Sequence, residues 1–122
     1  MIDFVVYGID EMNGELNRFV DYLHTADVDD DAVFYSRLVS CELITNVLRH
    51  CSGAAQFCAE LTEGGVKITV CASAPSGRIA IPALPDVLAE SGRGLYIVNE
   101  VSGGNVFING GNVTVVIKRE VK

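Results

Sequence analysis

Apolar residues recur at two different periods along this chain, and each change of period marks a new element. Residues 2–7 are β-branched and aromatic at most positions and predict a first strand, closed by Gly8. Residues 12–24 place Leu16, Phe19, Val20 and Leu23 at helical spacing, an amphipathic helix with His24 at its C-terminal end, where the macrodipole favours a cation. The acidic run 27–31 reads as a solvated loop, and Asp29, Asp30 or Asp31 can accept hydrogen bonds from the free amides of the next helix. In that next helix Val33, Phe34, Leu38, Cys41, Leu43, Ile44, Val47 and Leu48 wrap most of the circumference, as expected of a helix buried between a sheet and other helices. Gly53 can take the left-handed conformation that stops it.

Strict alternation then returns. Phe57, Ala59 and Leu61 share one face of residues 55–61, and Val66, Ile68 and Val70 one face of 66–72, with a turn at Glu63-Gly64-Gly65 between them. These runs predict a hairpin with one face on the core. Residues 73–91 lose the pattern to Ala, Ser, Pro and Gly, with a short helix expected at 85–89; so long a connection in a small domain is more often functional than idle. Ser91-Gly92-Arg93-Gly94 leads into an apolar helix, and residues 106–108 and 113–119, joined by Asn109-Gly110-Gly111-Asn112, predict a second hairpin. The expected architecture is α+β, a two-layer sandwich of helices on one face of a mixed β-sheet, in a single domain spanning residues 1–122.

One polar stripe interrupts the main helix. Glu42, Asn46 and Arg49 fall at i, i+4 and i+7, with His50 beside them. Polar groups cost free energy when taken from water without partners, so such a stripe persists when it faces a cleft, an ion or its own members. The plainer reading, ordinary exposed residues of an amphipathic helix, stands beside it. Likewise the amides after Gly92 can receive an anion at a helix start, or the glycines can simply be a flexible loop before a core helix.

The wording Glu42-Leu43-Ile44-Thr45-Asn46-Val47-Leu48-Arg49-His50 resembles the N-box of the GHKL (histidine kinase-like) ATPases, the superfamily of gyrase, the heat-shock chaperone ATPases, histidine kinases and mismatch-repair ATPases. It looks most like the stand-alone anti-sigma-factor serine kinases of bacterial partner-switching systems. Gly92-Arg93-Gly94-Leu95-Tyr96-Ile97-Val98 resembles the second glycine box of that family, and residues 84–91 its lid. The resemblance covers nearly the whole chain and implies the Bergerat fold. It implies Glu42 as the catalytic base and Asn46 as a magnesium ligand. Arg49 and His50 would flank the phosphates of ATP, and the amides of Gly92, Arg93, Gly94 and Leu95 would cradle them. Gly111 and Thr114 lie where the family has its last small Gly/Thr motif, although strand alternation alone explains both. The chain departs from the family at the first glycine box, where Ala72 stands for the adenine-reading Asp, and Ala74 and Ser76 for the glycines. A methyl group accepts no hydrogen bond, which lowers the expected affinity and the discrimination for adenine.

Charge and composition narrow the functions further. Sixteen acidic against nine basic residues give a net charge of −7, which argues against sequence-independent nucleic-acid binding and favours a basic protein partner. The resemblance makes that partner a sigma factor or an antagonist whose serine is phosphorylated. It also leaves a homodimer, paired through the sheet edge or first helices, as an expectation. The alternative function is a binding module of the same fold that has lost ATP binding. A histidine-kinase catalytic fragment fits less well, since no phospho-acceptor helix pair is visible. The N-terminus lacks a basic start and apolar stretch, and no apolar run is long enough to span a bilayer, so a cytoplasmic protein without membrane contact is expected. Cys41, Cys51, Cys58 and Cys71 form no Cys-x-x-Cys pair and read as reduced, small apolar residues.

Overall fold

The computed structural model describes residues 1–50, 53–73, 98, 100–109 and 112–119, and for His50, Ser73 and Asn109 the backbone alone. Strand β1 (Ile2–Val6) leads through helices α1 (Ile9–Thr25) and α2 (Asp30–His50) to the hairpin β2 (Ala54–Thr62) and β3 (Gly65–Ser73), and the chain closes on the hairpin β4 (Val106–Asn109) and β5 (Asn112–Ile117). The strands form one sheet in the order β1-β2-β3-β5-β4, with the helices on one face. The α+β two-layer arrangement expected from the pattern is present.

The expectation of a mixed sheet is corrected: all four described pairings are antiparallel. Two helices, an even number, separate β1 from β2, so the chain returns in the opposite direction. Strands β3 and β4 do run the same way, but β5 lies between them and parallel neighbours never meet.

Alternation decides what the sheet buries. Phe4, Phe57, Val70 and Val113 lie in one row beneath the helices, followed by Ile2, Ala59, Ile68 and Val115, all buried. Helix α1 adds Met12, Leu16, Phe19 and Leu23, and α2 adds Val33, Val39, Leu43, Ile44 and Val47. Phe57 stacks on Phe4 with ring centroids 4.4 Å apart and meets Phe19 edge-on at 5.0 Å. These three rings tie β1, β2 and α1 together.

Of the three candidate caps, Asp29 takes the role: its Oδ2 accepts from the Ala32 amide at 3.1 Å, three residues into the helix. Asp29→Ala is expected to cost about 1 kcal/mol of stability, read as a lowered urea midpoint at unchanged slope. Gly53, beyond the end of α2 and directly before β2, takes the positive φ expected of it, 97°. Gly65 is required for a different reason. Its φ is 147°, and a Cβ there would meet the Ile117 carbonyl oxygen at 2.0 Å, so only glycine lets β3 start this close to β5.

Helix α2 is less enclosed than its composition predicts. Phe34 is 63% exposed, Tyr35 is exposed beside it, and Leu38, Cys41 and Leu48 are only half-buried. Its buried positions instead include two serines, Ser36 and Ser40, both fully buried. The Ser40 hydroxyl donates to the Ser36 carbonyl oxygen at 2.7 Å, while the Ser36 Oγ has no hydrogen-bond partner among the described residues.

Candidate functional site

Residues 42–50 occupy the last turns of α2, and a chain of contacts fixes where that end lies. The Thr45 hydroxyl reaches Met12 Sδ at 3.6 Å, so the end of α2 meets the start of α1. Helix α1 begins just after β1, whose Val6 pairs with Ala55, which in turn pairs with Ala72. The C-terminal end of α2 therefore sits at the edge of the sheet where β1 and β3 finish and where β2 and β5 begin.

Along the predicted stripe the three described side chains differ in exposure. Arg49 is exposed and Glu42 half-buried, while Asn46 is only 7% exposed. The Asn46 carboxamide hydrogen-bonds to no described residue, and Glu42 makes no ion pair with one. At 7% exposure the Asn46 side chain is largely, though not wholly, withdrawn from water. Its carbonyl oxygen is a suitable donor for a hard cation, and its NH2 for a phosphate oxygen.

Ala72 lies on the helix-facing side of β3 at this same end, 4% exposed, opposite Ala55. Neither of these two side chains, both methyl groups, offers an acceptor for an amino group. Thr114 lies elsewhere. It pairs with Thr69, their hydroxyl oxygens 3.3 Å apart, on the face of the sheet turned away from the helices. The structure thus puts Glu42, Asn46 and Arg49 on one helix flank but separates Thr114 from them by the thickness of the sheet. The reason is the pleat: Val113 and Val115 are buried under the helices, so the residue between them points outward. The side chain of His50, the glycine pair with Gly92, Arg93, Gly94 and Leu95, the expected lid, and Gly111 lie outside the described residues.

Past the glycine pair, residues 98, 100 and 101 are helical, with Val98 fully buried, and Gly103 and Gly104 follow at positive φ.

Among the described residues no group of three or more His, Cys, Asp or Glu could hold a metal ion. A cation here would need Asn46 together with oxygens from a ligand and water. The described cysteines Cys41, Cys58 and Cys71 are free thiols, and burial pushes the Cys71 thiol up, so it is protonated and a poor nucleophile at neutral pH. Among the described residues no helix is long and apolar enough to cross a membrane.

Pattern reading missed the buried serines of α2 and the aromatic residues left on the surface. The serines were invisible because a polar residue at a helical core position is not distinguished from a solvent-facing one by spacing alone. Compared with models of protein families the chain matches none, and no curated protein matches it by sequence.

Proposed function

We propose that this chain is a histidine kinase-like regulator of the anti-sigma type, which binds magnesium-ATP beside the end of α2 and phosphorylates a serine of a partner protein. The observation that carries this reading is Asn46: a nearly sealed carboxamide that no described residue satisfies, one helical turn from a half-buried acid. Asn46 would contribute a hard oxygen ligand to the magnesium ion, and Arg49, one turn further and exposed, would face the phosphates. Glu42 would accept the proton of the incoming serine hydroxyl. ATP supplies the phosphoryl group. With so few protein ligands the ion depends on phosphate oxygens and water, as magnesium commonly does.

The second reading is a protein-binding module of the same fold that no longer takes nucleotide, and Ala72 favours it. A base seated at that end of the sheet meets methyl groups of Ala55 and Ala72, and a missing acceptor costs on the order of ten- to a hundredfold in affinity.

Thermal unfolding with and without magnesium-ATP separates the two. A ligand that binds only the folded state at ten times its Kd stabilises it by about 1.4 kcal/mol, on the order of 5 °C for a chain of this size. Asn46→Ala should remove that shift while leaving the ligand-free protein folded, because the carboxamide bonds to no described residue. A wild-type melting curve unmoved by millimolar magnesium-ATP would leave the binding module as the function.

A further inference from the structure

We propose that the first turns of α2 dock a basic amphipathic helix of another protein, on an aromatic step rimmed by acids. The proposal is independent of nucleotide binding. Asn46 lies at the other end of the same helix, roughly 18 Å beyond Phe34 at 1.5 Å per residue.

Burial divides the start of α2 into two sides. Residues 32, 33, 36, 39 and 40 are buried, so one side rests on the rest of the domain. The opposite side carries Phe34, Tyr35 and Leu38, which fall within an arc of about 100° of the helix circumference. Phe34 is 63% exposed, Tyr35 is 38% exposed and Leu38 is half-buried. The two rings meet edge-on with centroids 5.4 Å apart, so they form one continuous aromatic surface. Farther along the helix Thr45 touches Met12 of α1, and the open part of this side is therefore its N-terminal half.

Local charge selects the occupant. Asp30 and Asp31 stand one helical turn before Phe34 and Tyr35, and Asp27 lies in the turn that enters the helix. All three are exposed, and none forms an ion pair with a described residue. From residue 27 to residue 38 the sequence holds one cation, Arg37, which is half-buried. The macrodipole accounts for acids in a first turn, and Asp29 is the cap, but neither accounts for aromatic rings left in water beside them. A partner helix with apolar residues at i, i+4 and i+7 covers the rings, and Lys or Arg on either side of that stripe meets the acids. An acidic helix is repelled, and a basic segment without the stripe leaves the rings uncovered. Three side chains make a small contact, so the complex belongs among weak, transient ones.

The test uses a labelled synthetic helix of about 15 residues with a Leu stripe flanked by Lys. Its binding to the full chain, without nucleotide, is read by fluorescence anisotropy. The wild type should bind it, less tightly as salt rises. A peptide with Glu in place of Lys, and one of the same composition with the stripe scrambled, should each bind at least tenfold more weakly. Phe34→Ala should weaken binding at least tenfold with unchanged circular dichroism. The pair Asp30→Asn and Asp31→Asn should weaken it severalfold and flatten its salt dependence. Phe107→Ala, a ring of similar exposure on the other face of the sheet, and Asn46→Ala should leave it unchanged. No binding of the basic peptide up to roughly 300 µM, where even a weak contact would register, overturns the proposal. Equal binding of the scrambled peptide overturns it as well, since charge alone would then suffice, and so does an unaltered affinity in Phe34→Ala. A wild-type dimer in sedimentation that Phe34→Ala dissolves would assign this surface to a second copy instead.

Discussion

Phe57→Ala should lower the unfolding free energy by about 3–5 kcal/mol, a large share of the total stability of a domain this size. The residue is 2% exposed at the middle of β2, with Phe4 stacked against one side and Phe19 edge-on at another. Three elements close on it, so the neighbours cannot collapse into the space without moving β1 and α1 off the sheet. A cavity is left, and its cost adds to the lost transfer energy. The informative control is Phe34→Ala. The same side chain is deleted, but from a site 63% exposed, and the change should stay within about 0.5 kcal/mol. Urea unfolding of both variants measures the contrast directly. Similar losses at the two positions would mean that the stacked rings are not the centre of the core.

Ala72→Asp carries the largest expected effect on function. Without a ligand the new carboxyl group is buried beside Ala55 with no partner, and the variant should lose roughly 1–3 kcal/mol. Burial disfavours the charged form, so the folded-state pKa of this Asp should lie above its unfolded value near 3.9. The folded protein then binds the proton more tightly than the unfolded chain. Its stability relative to wild type should fall as pH rises above about 4 and recover as pH is lowered toward it. With magnesium-ATP the sign reverses under the proposed function: an acceptor for the adenine amino group returns, and affinity should rise about ten- to a hundredfold over wild type, more for ATP than for GTP. Calorimetric titration of both nucleotides reads this out. Equal, unimproved affinities would show that position 72 does not face the base, and would favour the binding-module reading.

Much of the frame was legible along the chain because it rests on local periodicity. The alternation at residues 55–61 and 66–72 named the buried rows, the Asp run contained the cap of α2, and Gly53 was a glycine that takes positive φ. Each depends on residues within a few positions of one another. The mixed sheet failed because strand direction depends on how many helices intervene and on which strands become neighbours, and β5 entering between β3 and β4 is a long-range event. The buried estimate for α2 failed for a related cause. A helix with apolar residues on every side reads as enclosed, yet only partners can enclose it, and none of the described elements covers Phe34.

The candidate site divides along the same line. Helical spacing alone set Glu42, Asn46 and Arg49 on one flank, since 3.6 residues per turn allow nothing else once the helix forms. Their unequal burial was decided by what α2 rests upon: Asn46 turns toward the packed side and Arg49 toward water. Thr114 was drawn to the site by its place in the chain and removed from it by the pleat of β5. By itself, then, the sequence determined which residues share a strand face or a helix flank, because those relations are short-range and steric. Only the tertiary structure decided which faces meet, because burial and antiparallel pairing arise between segments far apart in the chain, where apolar area and hydrogen bonds are satisfied together.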